Sequence, residues 1–249
     1  MANVLVEIIA SSPDDCVAID AAGAGRVELC AALVLGGLTP SFGAIAESKA
    51  RVRIPIMAMV RPRAAGMAYS QSEFATMERD IEASIQAGAD GLVFGVLQDD
   101  GRIDTQRMAS LAARCGSRQK VCHRAFDVTP DPFDALETLI DLGFTRVLTS
   151  GQKPTALAGA DLIRRLIEKA AGRIEILPGA GIDATTASQL IAETGCDQIH
   201  LAAFKRAVDP SGSGNPAVQF SGAEPPPEGE YDLADGAMVA ELIRGLSDG

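Results

Sequence analysis

The sequence predicts one α/β domain, a parallel (β/α)8 barrel of the TIM type, on three observations. Short apolar or β-branched runs alternate with stretches of helical period, a glycine recurs before every second run, and the chain's 249 residues match the roughly 250 that such a barrel takes. The runs are 4–10, 26–30, 54–61, 91–97, 120–125, 145–150, 173–177 and 197–202. Between them, segments such as 72–87, 104–113, 132–142 and 160–171 carry apolar residues three and four apart, with a Ser, Asp or Thr in front to cap a helix. Strand then helix, eight times over, builds parallel β-α-β units, because parallel neighbours need a crossover of that length.

The glycine repeat favours closure. Gly23, Gly88, Gly143 and Gly195 each end a helix, and four residues later stand Val27, Leu92, Val147 and Ile199 in the second, fourth, sixth and eighth runs. A glycine there can take the left-handed cap that turns a helix into the next strand. A closed eightfold barrel explains a joint shared by the even units, whereas a doubly wound open sheet gives no reason for it. Residues 209–230 are rich in Pro, Gly and Ser and read as a long flexible loop; helical spacing then resumes over 233–246. The expected organisation is a single domain over residues 1–249.

Composition narrows the function. With 33 acidic against 22 basic residues, the formal charge of −11 speaks against a nucleic-acid or anionic-membrane surface, since both need pooled Lys and Arg. The first ten residues include Glu7 and no basic leader, and the uncharged stretches are broken by Gly and Pro, so a soluble cytoplasmic protein is expected. Five cysteines, odd in number and never spaced C-x-x-C, indicate neither a disulfide framework nor a zinc site.

In this barrel type the chemistry sits at the C-terminal ends of the strands. Glu7, Glu28, His123 and His200 interrupt otherwise apolar runs, and a charge facing the helices would be buried unpaired, so they are expected to point into the barrel mouth toward Arg61 or Arg124. Asp127, Arg63 and Lys153 stand near the same strand ends. The candidate acid–base groups are therefore Glu7, Glu28, His123, Asp127 and His200, and the anion clamps Arg61, Arg63, Arg124 and Lys153. The segment Leu177-Pro178-Gly179-Ala180-Gly181-Ile182-Asp183 opens a helix, and Gly179 and Gly181 could let backbone amides cradle a phosphate or carboxylate.

Several of these stretches resemble one family. Arg26-Val27-Glu28-Leu29-Cys30, Gly36-Gly37-Leu38-Thr39-Pro40-Ser41, Arg61-Pro62-Arg63, Tyr69-Ser70 with Glu73, Gly95-Val96-Leu97, His123-Arg124-Ala125-Phe126-Asp127, Arg146-Val147-Leu148-Thr149-Ser150-Gly151-Gln152 and Gly179-Ala180-Gly181 are similar to the successive signatures of the CutC copper homeostasis family. The likeness runs from about residue 5 to 200 and resumes at Asp235-Gly236-Ala237. It implies a (β/α)8 barrel, a cytoplasmic homo-oligomer (dimer or higher) and a role in copper handling. Its mouth residues fall on Glu7, Glu28, Arg61, His123, Arg124, Asp127 and His200. Its copper-binding cysteines lie near the first two strands, and of these only Cys30 is present. Ile9 and Ala68 stand where the family often carries Cys, Ala64-Ala65 where it has Gly-Gly, and Leu201-Ala202-Ala203-Phe204 where it has Ser-Ser-Ala-Gly.

Cu(I) is soft and takes two or three sulfur ligands, so a copper site here would rest on Cys30 with help from Met59 or His123. Ile9 removes the natural partner of Cys30. Two readings follow: a cytosolic copper homeostasis protein in which copper ligation is weak, or a barrel enzyme acting on a small anionic, phosphate- or carboxylate-bearing metabolite.

Overall fold

The computed structural model describes residues 4–215, 217–218 and 230–247. Eight parallel strands, β1 (Leu5–Ala10), β2 (Arg26–Leu29), β3 (Ile56–Met59), β4 (Gly91–Phe94), β5 (Gln119–Cys122), β6 (Arg146–Thr149), β7 (Glu175–Pro178) and β8 (Gln198–Leu201), run in the order β7-β6-β5-β4-β3-β2-β1-β8. A single parallel bridge from Gly179 to His200 brings the two ends together. Around this barrel stand α1 (Pro13–Ala21), α2 (Phe42–Arg51), α3 (Gln71–Gln86), α4 (Thr105–Arg114), α5 (Pro132–Asp141), α6 (Ala160–Ala170), α7 (Ala187–Thr194) and α8 (Gly236–Ser247).

Caps fix most helix starts. Ser12, Ser41, Ser70, Asp104 and Asp131 accept backbone N–H bonds at the heads of α1 to α5, and Ser70 with Glu73 forms a reciprocal capping box. Helices α6 and α7 have no side-chain cap. At the head of α6, Gly159 lies so close to the Ser150 carbonyl that a side chain would collide, so α6 is placed by packing against the β6 loop.

The four repeat glycines are all left-handed, with φ of +89, +98, +71 and +70° at Gly23, Gly88, Gly143 and Gly195. The residues four positions on, Val27, Leu92, Val147 and Ile199, are wholly buried in the layer between sheet and helices. Strand alternation then turns their neighbours inward: Glu28, Val93, Leu148 and His200 on one level, Arg26, Gly91, Arg146 and Gln198 on the level below. Four residues from alternate strands per layer is how such a barrel fills its interior.

Most strands are shorter than their runs suggest, four residues each from β2 to β8. Beyond the laddered band the chain bends outward into the loops, which corrects the placement of His123 and Arg124. They lie past β5, where His123 caps the 3-10 turn Arg124–Val128. The expected 209–230 loop is flanked by a pair of strands, β9 (Phe204–Val208) running antiparallel to β10 (Glu230–Ala234), and Pro210–Gly214 within it forms a 3-10 turn. Residues 216 and 219–229 of that loop lie outside the described residues. The hairpin is tied down by buried Asp15, which accepts the Ala234 N–H at 2.8 Å and the Ser11 N–H at 2.9 Å. Val239 and Leu242 of α8 complete the core. No helix among the described residues is long and apolar enough to cross a membrane.

Candidate functional site

The floor of the barrel is polar. Glu7 of β1 accepts from Arg26 Nε through one carboxylate oxygen and contacts His200 Nδ1 through the other at 2.7 Å. Arg26 also donates to Gln198 Oε1 at 2.8 Å, Arg146 donates to the same oxygen at 3.1 Å, and Arg146 Nε reaches Glu175 at 2.7 Å and its NH2 reaches Gln119 at 3.0 Å. Gly91 makes room, since a side-chain carbon there would meet Met57 Sδ at 2.5 Å. Burial alone would raise the Glu7 pKa, but the His200 hydrogen bond and the Arg26 charge outweigh it and bring it to about 2. Glu7 is thus a fixed anion beneath the mouth, paired with Arg26 rather than with Arg61 or Arg124.

Above the floor, Cys30, Met57, Met59, Val93 and Val121 form an apolar plug inside the barrel. Over it opens a cavity of about 640 Å³ whose wall includes Glu28, Cys30, Met59, Arg61, His123, Arg124, Gly181 and His200. Glu28 and His200 meet at its base, with His200 Nε2 3.8 Å from Glu28 Oε2. Burial raises the Glu28 pKa, and the attraction of His200 does not cancel it. Burial by itself would lower His200, yet the charge of Glu28 and the Glu7 hydrogen bond lift it above its ordinary 6.5. The pair therefore holds a proton more readily than either group would alone.

His123 differs. Its Nδ1 accepts the Ala125 N–H at 3.1 Å, which leaves the ring proton on Nε2. Burial, reinforced by the Arg61 charge, lowers its pKa from 6.5 to about 4, so the ring is neutral. The Nε2 atom is buried without a protein partner. Arg61 spends NH1 on the carbonyls of Leu35 (2.9 Å) and Gly37 (3.1 Å) and NH2 on that of Ala65 (2.8 Å), while its buried Nε has no partner.

Other expected residues have structural work. Asp127 accepts from Arg124 Nε (2.7 Å), Thr149 Oγ1 (2.5 Å) and the Ser150 N–H (3.0 Å), stapling the loops after β5 and β6 together. Arg63 is held by Glu73 (2.5 Å) and by the Gly66 and Ala68 carbonyls (2.8 Å each), with Tyr69 under its guanidinium, and lies off the cavity wall. Lys153 is exposed and likewise off the wall. Gly179 sits below, where a side-chain carbon would meet Leu148 at 2.6 Å and His200 at 3.2 Å. Ala180 and Gly181 line the cavity with φ of +83 and +65°. The turn leading into α7 is already served by Asp183, whose Oδ1 accepts from the N–H groups of Thr185 and Thr186 at 2.9 Å.

The site's donor set is poor for Cu(I). Cys30 Sγ donates to Glu28 at 3.5 Å, and burial plus the Glu28 charge raise its pKa well above 9.0, holding the thiol protonated. Glu7, Glu28 and His200 bring donor atoms within 4.8 Å of one another, but two are hard carboxylates and none is sulfur, and Glu7 is already held by Arg26 and His200.

Sequence reasoning did not single out the Arg26, Gln119, Arg146, Glu175 and Gln198 layer. The signal was available: Arg26, Gly91, Arg146 and Gln198 each follow a repeat glycine by three residues.

The model of the CutC family matches residues 4–205. A CutC protein of Treponema denticola is 52% identical over 246 residues, 99% of this chain and 100% of that one. The copper homeostasis protein cutC homolog of Homo sapiens is 45% identical over 199 residues, 80% of this chain and 73% of its own length. The crystal structure of CutC from Streptococcus agalactiae superposes with a TM-score of 0.76 at 35% identity, covering 80% of this chain and 98% of that one.

Proposed function

The chain belongs to the CutC family, and from that premise we propose that its mouth binds a small carboxylate- or carbonyl-bearing metabolite and moves a proton on it. Its part in copper homeostasis, the role for which relatives are named, then proceeds without a tight Cu(I) site. The observation that carries this reading is the pair of buried, unpartnered N–H groups, His123 Nε2 and Arg61 Nε, on residues lining one cavity. A buried donor without an acceptor costs about 1–3 kcal/mol, and a bound oxygen removes that cost. Glu28 with His200 supplies the proton-transfer pair. Ala180 and Gly181 add a backbone cradle. A carboxylate suits two fixed donors better than a phosphate dianion does, because the Asp183 carboxylate already takes the N–H groups of the turn before α7.

Calorimetric titration with oxalate tests the reading: the wild type binds, and His123→Phe weakens binding by about 10-fold or more, the value of a hydrogen bond to a charged group. Equal binding by both proteins contradicts it. Competition with a Cu(I) chelator is expected to give weak binding that Cys30→Ser barely changes; tight one-to-one binding lost in that variant refutes the second half of the reading. Cytoplasmic location and homo-oligomerisation belong to the same proposal, and light scattering of the purified chain checks the latter.

A further inference from the structure

We infer that the mouth is an enolisation site: His123 Nε2–H and Arg61 Nε–H hold the oxygen of a carbonyl compound while the Glu28 carboxylate takes a proton from the adjacent carbon. This inference rests on the metabolite-binding reading above and adds the reaction class.

The geometry assigns His123 a donor's part only. Its one lone pair is used by the Ala125 N–H, and a second ring proton would have to displace that bond. The other contacts of the ring agree, since a side-chain carbon at Gly95 would meet His123 Cε1 at 2.7 Å and Nδ1 at 2.9 Å. The Nδ1–Cε1 edge of the imidazole is packed against Gly95, and Nε2, the next atom round the ring, is the nitrogen left without a protein partner. Arg61 is immobilised in a comparable way: its three backbone carbonyl bonds fix the guanidinium and leave the buried Nε as the donor without a hydrogen-bond partner, with Tyr69 nearby. Two prepositioned N–H groups, one cationic and one neutral, match an oxygen whose negative charge grows during reaction.

The rest of the wall favours such a step. Ile9, Leu33, Met59, Leu148, Ile182 and Phe204 make it largely apolar, so the donors act in a medium poor in water. Glu28 opens on the same cavity and is backed by His200, itself oriented by Glu7 at 2.7 Å. In the step, a Glu28 oxygen takes the proton, the C–H electron pair becomes the new C=C bond, and the carbonyl π pair moves to oxygen as an enolate held by the two N–H groups. Return of a solvent-exchanged proton from Glu28 to the same carbon restores the carbonyl, breaks the enolate C=C bond and leaves solvent hydrogen at that carbon. No electrons are gained or lost overall. A neutral histidine donor opposite a glutamate base is a combination suited to this chemistry.

The full chain is incubated with pyruvate and with hydroxyacetone in D2O, and loss of the protons next to the carbonyl is followed by 1H NMR. The wild type is expected to exchange at least one of the two above the buffer rate, with oxalate as a competitive inhibitor. Glu28→Gln abolishes exchange, and His123→Phe lowers it about 10²-fold, as loss of one such donor does elsewhere. His123→Gln, which presents an N–H, recovers part of the rate. Oxalate binding without exchange of either ketone overturns the enolisation inference and leaves the binding reading standing. Absence of oxalate binding removes the reading beneath it. Should a variant fail to fold, wild-type exchange and its inhibition by oxalate decide the matter.

Discussion

The floor and the mouth of this barrel each centre on a buried glutamate, and they treat it in opposite ways. Glu7 has Arg26 on one carboxylate oxygen and His200 on the other, and its pKa falls to about 2. Glu28, one strand over and one level up, has only a distant His200 and the Cys30 thiol beside it, and burial raises its pKa. The donors follow the same division. On the floor Arg146 NH1 alone is unpartnered among the described residues, whereas around the mouth Arg61 Nε, His123 Nε2 and nearby Tyr69 OH are. Satisfied polar groups hold a structure together; unsatisfied ones on a cavity wall await a ligand.

The strongest way to break the contrast is to remove a floor partner. Glu7→Ala leaves Arg26 buried without its counter-ion and is expected to cost about 3–5 kcal/mol in urea unfolding. A loss below about 1 kcal/mol means that the floor is not the structural half. Next comes acid. Because the folded pKa of His123, about 4, lies below its unfolded 6.5, the unfolded chain takes up a proton first. That contribution to stability is complete above pH 6.5 and is lost as pH falls toward 4, by about 3 kcal/mol at roughly 1.4 per pH unit. His123→Asn flattens that window, and an unchanged slope in the variant assigns the acid sensitivity to another group.

Smaller effects sharpen the account. Gly143→Ala places a side chain at φ +71° with nothing within 4 Å of it, so the cost is backbone strain alone, about 1 kcal/mol, read from the melting temperature. Lys153→Ala, outside the cavity, is expected to leave oxalate affinity within about twofold, less than the roughly 1.4 kcal/mol of a tenfold change. A larger loss would draw the site's boundary too tightly.

The barrel was legible because its signal repeats. Four glycines at the same joint all proved left-handed, and the parity they set put Glu28 and His200 inside. What escaped sequence reasoning was the state of each side chain. Glu7 and Glu28 look alike in a run of letters, and only the strand register, with Glu7 opposite Arg26 and His200, separates them. His123 reads equally well as base, ligand or donor until the turn after β5 brings the Ala125 N–H onto its Nδ1. Arg63 and Asp127 carry charges at the right strand ends, yet local partners absorb them. The β9–β10 hairpin was hidden because a stretch rich in Pro and Gly interrupts the two pairing segments.

The chain has only two histidines, which makes the central claim directly measurable by 15N-edited NMR of the imidazoles across pH 5 to 8. His123 is expected to stay neutral with its proton on Nε2 over that whole range, while His200 keeps its proton to higher pH than an ordinary histidine. Titration of His123 near 6.5, or a proton on its Nδ1, would contradict the division between a fixed floor and a waiting mouth.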